Sequence, residues 1–349
     1  MSEKPIRVAV YGTGRFARAT HMPNLKKIDD AEIVALCDID ENSLQEAAAQ
    51  FGVSRTYTDA HEMLEIEKPD ALWSIVPAFA RTDVEIAAAK QGIHIFSEKP
   101  QAMDMALAKR IDTAVQKNAV ISTVGFRERY RPIFQEAKRL LKNERVVHVR
   151  FQQIRTPSKL TATDRPDWGT QMNKGGVSFF DWGVHATDYT RFITGQNISN
   201  AQAFLCQPTG YQSPLSSSFH YHLSDGATTT LTFIDANPSG PGEEPYFKIF
   251  FEGGCLDIYG YERIEINHEV MYEAGHFDPW LTQDQTFIEA VRSKRPELLQ
   301  SDYHDGLRSL APVLAGWAST GQIGICLDVE SFIKYAIFYF EQFNRLIYI

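Results

Sequence analysis

The first 125 residues alternate between short apolar runs and stretches with helical spacing of apolar positions. Ile6-Arg7-Val8-Ala9-Val10-Tyr11 and residues 32–37, 71–76, 93–97 and 120–124 are the apolar runs, each of strand length. Helical patterns occupy 41–51, 82–91 and 103–117, and another follows the first run until Pro23 interrupts it before Ile28. Strands separated by helices imply right-handed crossovers, so the pattern predicts an α/β domain with a doubly wound parallel sheet covered on both faces. Beyond a helix at 131–141 the pattern changes. Residues 146–154, 217–223, 228–234 and 246–251 alternate or run apolar, with Ser224-Asp225-Gly226 as a hairpin signal, which predicts a strand-rich second domain of α+β type. Helices near 284–292 and 305–319 close the patterned part.

Length and charge narrow the picture. At 349 residues the chain exceeds what one core usually holds. The expected division is a first domain over 1–125, a second over 126–333, and a tail over 334–349. A net charge of −9 argues against nucleic acid or an anionic membrane as the main partner and favours a small ligand. Cys37, Cys206, Cys255 and Cys326 are scattered, without Cys-x-x-Cys spacing, as in a cytoplasmic protein with reduced thiols. The N-terminus runs into a strand without a signal-peptide apolar region, and no apolar run reaches membrane-spanning length. The tail is rich in large apolar side chains, with Glu341 and Arg345 spaced to pair on one helical turn, and is expected to dock on the body or on a partner subunit.

The candidate chemistry begins at the first turn. Gly12-Thr13-Gly14-Arg15-Phe16-Ala17 follows a strand and opens a helix, and the second strand ends on Asp38. Glycines there permit a tight turn and let backbone N–H groups approach a pyrophosphate, while the acid lies where an adenosine ribose is met. Asp38 would accept from a ribose 2′-hydroxyl and repel a 2′-phosphate, and Ile39 stands where an arginine often accommodates that phosphate, so NAD is expected over NADP. Ligands of such sheets lie off the carboxyl ends of the strands, which directs attention to Pro77, Glu98, Lys99, Pro100 and Gly125. His21 is taken as a packed, hydrogen-bonded core histidine.

Further on, Gly175-Gly176 precede Asp181 and His185, four residues apart and on one face if helical. A carboxylate and an imidazole so placed can share a proton or a substrate, or simply satisfy one another in a buried helix. Glu98-Lys99-Pro100 puts a lysine just past a strand end, within reach of a nicotinamide or a substrate hydroxyl. His268 and His276 match no common ligand spacing, and no metal is expected.

Taken together, the dinucleotide turn, Glu98-Lys99-Pro100, Gly125-Phe126-Arg127-Glu128-Arg129-Tyr130, and Gly175-Gly176 with Asp181, Gly183, His185 and Asp188 resemble the glucose-fructose oxidoreductase and inositol dehydrogenase family. The resemblance runs to about Asp328. It implies a Rossmann domain, a second domain whose large, mostly antiparallel sheet commonly forms the subunit interface, and a catalytic Lys, Asp and His at Lys99, Asp181 and His185. The chain departs from the family at Val76-Pro77-Ala78, where Thr-Pro-Asn is usual, and at Arg127, where Asn is frequent. Arg127 could contact an acidic substrate, although an ion pair with Glu128 is the preferred expectation. Trp168, in the loop before the Asp-His stretch, could stack on a sugar ring or anchor the loop. The resulting expectation is a homodimeric or homotetrameric NAD-dependent dehydrogenase for a secondary alcohol of a sugar, polyol or related cyclic compound. A glycosidase using transient oxidation by bound NAD and a non-catalytic NAD-binding sensor are the competing classes.

Overall fold

Six short strands, β1 (Ile6–Tyr11), β2 (Ala31–Cys37), β3 (Thr56–Tyr57), β4 (Ala71–Ser74), β5 (His94–Ser97) and β6 (Ser122–Val124), pair in parallel in the order β3-β2-β1-β4-β5-β6. These are findings from a computed structural model that describes residues 4–155, 171–209, 211, 213–236, 244–322 and 324–335. The connections are α1 (Met22–Leu25), α2 (Glu41–Phe51), α3 (Ala60–Glu67), α4 (Val84–Lys90) and α5 (Met105–Lys117). The aspartates that precede α2 and α3 act as N-caps. Asp40 accepts from the amides of Asn42 and Ser43, and Asp59 from those of His61 and Glu62, contacts of a kind worth about 1 kcal/mol per helix.

Pro23 does not interrupt the first helix as the sequence pattern predicts. The chain stays helical from Arg15 through Leu25, with one widened π turn at Ala17–His21 in which the Met22 amide bonds to the Ala17 carbonyl five residues back. Proline lacks an N–H and crowds the carbonyl four residues before it, and the wider turn relieves both demands. His21 lies in this turn with no exposed surface.

A contiguous boundary near residue 125 is not what the chain adopts. The first compact unit comprises the described residues through Ala102, Leu107–Tyr130 and a returning segment, Asp278–Gly306. That segment carries α8 (Pro279–Ser293), capped by Asp278, and its Phe287, Ile288, Ala290 and Val291 join one core with Val8, Val10, Leu36, Trp73 and Phe96. Trp73 stacks on Phe96 at 5.2 Å between ring centroids, and Phe287 meets both edge-on.

The second unit comprises Met103–Ala106, Arg131–Phe277 and the chain from Leu307 on. Its strands are β7 (Val146–Ile154), β8 (Ile198–Cys206), β9 (Ser216–Leu223), β10 (Thr228–Ile234), β11 (Phe247–Phe251), β12 (Gly254–Tyr259), β13 (Arg263–Ile266), β14 (Glu269–Glu273) and β15 (Leu327–Asp328). They form one sheet in the order β14-β13-β12-β11-β7-β10-β9-β8-β15, antiparallel at every pairing except β7 with β10. Alternation gives the sheet two unlike faces. Val149, Phe151, Phe219, Tyr221, Leu231, Phe233 and Phe247 are buried, and helices α6 (Pro132–Leu140), α7 (Ser178–Thr194) and most of α9 (Tyr303–Thr320) belong to this unit. From α7, Phe179 meets Phe219 at 5.3 Å and Tyr189 meets Phe247 at 6.3 Å, which seats that helix on the apolar face. The opposite face carries His148, Arg150, Ser218, His220, Thr228 and Thr230 among the exposed apolar side chains Val147, Phe204 and Phe250. Among the described residues no helix is long and apolar enough to cross a membrane. The segment 156–170 with Trp168, the loop at 238–242 and the Glu341–Arg345 spacing lie outside the described residues.

Candidate functional site

The turn after β1 is shaped for close backbone approach. Gly12 has φ +94°, and a Cβ there would sit 3.0 Å from the Ile75 carbonyl carbon and from the Val76 amide nitrogen, so any larger residue meets both strain and backbone. Gly14 is different. It has ordinary φ and nothing within 4 Å of where a Cβ would be, so no neighbour within the chain demands glycine. An incoming ligand that needs the backbone bare would account for it. Arg15 and Phe16 are exposed beside it, and Ala17 is buried.

Asp38, just past β2, is held ready. Its Oδ2 accepts from the Thr13 amide at 2.7 Å and the Thr13 hydroxyl at 3.2 Å, and its Oδ1 from the Asp40 amide at 3.0 Å. A carboxylate has about four acceptor sites, so three donors leave capacity for a ribose hydroxyl. The neighbouring Ile39 is 84% exposed and brings no cation for a phosphate. The bare turn and the oriented acid fit the adenosine half of a nicotinamide dinucleotide.

At the carboxyl ends of β4 and β5, Arg81 is a buried staple. It donates to the hydroxyls of Ser74 and Ser97 at 3.2 and 2.8 Å, to Glu85 at 2.6 Å, and to the Glu98 carbonyl. Pro77 and Lys99 are half-buried nearby in the sequence of strand ends, and Lys99 precedes Pro100 across a cis peptide. Glu98 is buried, and its Oε2 accepts from the Lys99 amide at 3.0 Å. Gly125 is essential to this geometry, because a Cβ on it would lie 2.5 Å from Glu98 Oε1.

The other contact of Glu98 was not foreseen. His21 Nε2 lies 3.1 Å from Glu98 Oε1, while His21 Nδ1 lies 2.9 Å from Asp284 Oδ1. Asp284, fully buried on α8, also accepts from Asn24 Nδ2 at 3.0 Å and Trp73 Nε1 at 3.2 Å. Burial works to lower the His21 pKa, but Asp284 and then Glu98 outweigh it and raise it to about 10, so the ring is a buried imidazolium at neutral pH. For Glu98, burial favours the neutral acid, and the hydrogen bond and charge of His21, helped by Lys99 and Arg127, hold its pKa below the ordinary value. The packed, hydrogen-bonded character expected of His21 is therefore present, with two carboxylates as partners. A legible sign of Asp284 existed: it stands three and four residues before Phe287 and Ile288, an acid on the apolar stripe of its own helix.

Arg127 forms the expected ion pair with Glu128, at 2.9 Å, and its guanidinium lies 4.4 Å above the Trp280 ring centre. The adjacent Arg129 bonds to Asp305 at 2.7 Å and to the Gln300 carbonyl, which fixes the turn after β6.

In the second unit, Asp181 and His185 both lie on α7, one turn apart, so they share a face as their spacing implies. His185 is buried, with its ring 5.5 Å from Trp182 and stacked near Tyr189 at 5.8 Å. Asp188 has a structural partner set: Ser309 donates to it at 2.8 Å and accepts from Arg191 at 2.7 Å, while Arg191 also reaches Asn197. His268 sits in the turn between β13 and β14, and among the described residues no group of three or more His, Cys, Asp or Glu could hold a metal ion.

A parallel six-strand sheet with a bare glycine turn and an acid just past its second strand, followed by a domain built on a large mixed sheet, defines a two-domain protein of the nucleotide-binding oxidoreductase class. Family comparison agrees over both units. Residues 6–126 match the model described as an oxidoreductase family with an NAD-binding Rossmann fold, and residues 134–257 match the GFO/IDH/MocA C-terminal domain. The chain belongs to the Gfo/Idh/MocA family. It is 31% identical to myo-inositol 2-dehydrogenase of Thermotoga maritima over 200 residues, a match spanning 57% of this chain and 58% of that protein. Against scyllo-inositol 2-dehydrogenase (NAD(+)) of Bacillus subtilis the identity is 26% over 337 residues, covering 95% of this chain and 92% of the other. A crystal structure of an oxidoreductase from Agrobacterium radiobacter, in complex with NAD+, L-tartaric acid and magnesium, shares the fold with a TM-score of 0.81 at 19% identity, covering 94% of this chain and 100% of that one.

Proposed function

We propose that this protein is an NAD-dependent dehydrogenase acting on a secondary alcohol of a sugar, polyol or related cyclic compound. The observation that carries the reading is the pairing of a nucleotide turn complete with an oriented Asp38 and a lysine held at the carboxyl end of the same parallel sheet. The inositol dehydrogenases to which the chain is similar support the substrate class. Gly12, Thr13, Gly14, Arg15, Phe16 and Ala17 would hold the pyrophosphate side of the cofactor, Asp38 the adenosine ribose, and Pro77, Glu98 and Lys99 the nicotinamide side. Asp38 beside Ile39 favours NAD over NADP, since a carboxylate repels a 2′-phosphate.

Bound NAD supplies the hydride acceptor. The chain's own residues manage the proton: His185 removes it from the substrate hydroxyl, Lys99 donates a hydrogen bond to the developing oxyanion, and Asp181 orients His185 from one helical turn away. Arg127 is committed to Glu128 and Trp280, so it is assigned a structural role rather than contact with substrate. The outer face of the nine-stranded sheet, where Val147, Phe204 and Phe250 are exposed, is assigned to a second copy of the chain in a dimer or tetramer, which light scattering of the purified protein tests.

The activity test is reduced-nicotinamide formation over a panel of inositols, aldoses and sugar acids, with NAD and NADP in parallel. His185→Ala is expected to lose on the order of 100- to 10,000-fold in turnover with NAD affinity kept. Full turnover in that variant, or in Lys99→Met, would remove these residues from the mechanism.

A further inference from the structure

Joined to the Lys99 turn is a chain of buried polar groups, of which His21 and Asp284 are not used by the proposed chemistry. Asp284 from α8, His21 from the π turn and Glu98 from the end of β5 are linked ring to carboxylate at 2.9 and 3.1 Å, and Glu98 then binds the Lys99 backbone amide at 3.0 Å. All four belong to the first unit. Phe16 and Phe96 pack edge-on against the His21 ring, at 5.3 and 5.1 Å, so Asp284 and Glu98 are the charged groups bonded to it. Lys99 and Arg127 are the further cations that act on Glu98.

We propose that His21 and Asp284 are positioning residues for Lys99, acting through Glu98. The assignment rests on the reading of Lys99 as a residue of the active site. A carboxylate that accepts from a backbone amide next to its own residue needs its other oxygen tied, or it rotates with the turn. His21 ties it. Asp284 keeps the imidazole protonated and oriented through Nδ1, and Asn24 and Trp73 hold Asp284 in turn. Gly125 leaves the space that the Glu98 carboxylate occupies. The length of the relay matters: a change on α8 is felt at the lysine without touching substrate or cofactor.

The first test uses the wild-type protein with histidine labelled at its ring nitrogens. At pH 8 His21 should show both nitrogens protonated, and Asp284→Asn should bring its titration down toward neutrality. A neutral ring in the wild type overturns the proposal. The second test reads Lys99 directly, as the pH dependence of its acetylation by limiting acetic anhydride, followed by mass spectrometry. His21→Gln removes a positive charge from the relay and should move the Lys99 profile to higher pH. Glu98→Gln removes a negative charge and should move it to lower pH. Mere loosening of the turn would move both profiles the same way, and that result also overturns the proposal. Where a polyol substrate has been found, His21→Gln should cost roughly 10- to 100-fold in kcat with NAD affinity and substrate KM little changed, and should cost nothing further in a Lys99→Met background. Silence of the wild-type enzyme across the substrate panel would count against the dehydrogenase assignment, while the acetylation profiles would still decide the relay.

Discussion

Replacing His21 by glutamine is the sharpest perturbation of the first unit. The amide can keep a hydrogen bond but removes the positive charge that faces two buried carboxylates. Raising an imidazole from 6.5 to about 10 corresponds to on the order of 4 kcal/mol of folding stability at neutral pH. Breaking a buried ion pair by removing one partner costs about 3–5 kcal/mol, which is the same interaction counted another way and not an addition to it. The sign follows from linkage. A group whose pKa is raised by folding contributes fully below its unfolded value, here 6.5, and loses that contribution as pH climbs to about 10. The stability gap between wild type and His21→Gln should therefore be largest near pH 6.5 and close steadily by pH 10. Cys37 reports on the relevant unit, because it is buried on β2 beside β1. Pulsed thiol labelling of Cys37 across a urea series, read on its peptide at several pH values, gives the gap for this unit alone. A gap that stays constant between pH 6.5 and 10 would refute the charged state of the ring.

Three further outcomes are expected. Gly125→Ala should displace Glu98, at a cost of about 1–3 kcal/mol in thermal stability and with a fall in turnover like that of the relay variants, since its Cβ would lie 2.5 Å from Glu98 Oε1. Asp38→Ser should raise the KM for NAD roughly 10-fold and narrow the preference over NADP, because the repulsion of a 2′-phosphate goes with the carboxylate; steady-state kinetics with both cofactors check this. Phe287→Ala removes a fully buried ring that meets both Trp73 and Phe96, and should lower stability by about 3–5 kcal/mol on the Cys37 labelling assay, although it lies far along the chain from the nucleotide turn.

The parallel sheet was legible because its buried strands are near-continuous apolar runs punctuated by glycine and aspartate turns. Val8, Val10, Leu36 and Trp73 all fall where such runs place them. Strands β7 and β10 were equally legible from alternation. Strand β8 was not, since its buried inward positions include Ala201 and Ala203, too small to stand out against the polar residues between them. Strands β13 and β14 escaped for another reason: β14 is the edge strand and almost wholly exposed, and the short β13 beside it buries only Ile264, so little apolar pattern is required of either. The continuing helix at Pro23 shows a local rule yielding to hydrogen bonding, because a π turn changes which carbonyl each amide must reach.

Of the candidate site, the motif residues could be named from spacing, but the groups that hold them could not. His21 and Asp284 are separated by 263 positions in the chain, and neither has a partner of opposite charge at helical distance that would betray a pairing. Reading each alone gives the bland answer, a core histidine and a helix acid. Their meeting requires the chain to leave the first unit, build the second sheet, and return with α8. Such a return could have been served by apolar contacts alone, and Phe287, Ile288 and Val291 supply them. A buried ion pair is weak evidence of stability, since well-packed hydrocarbon of similar volume often does as well. The polar relay is therefore best accounted for by what stands at its other end: a glutamate that must be ionised, oriented and dry in order to fix the turn from which Lys99 extends.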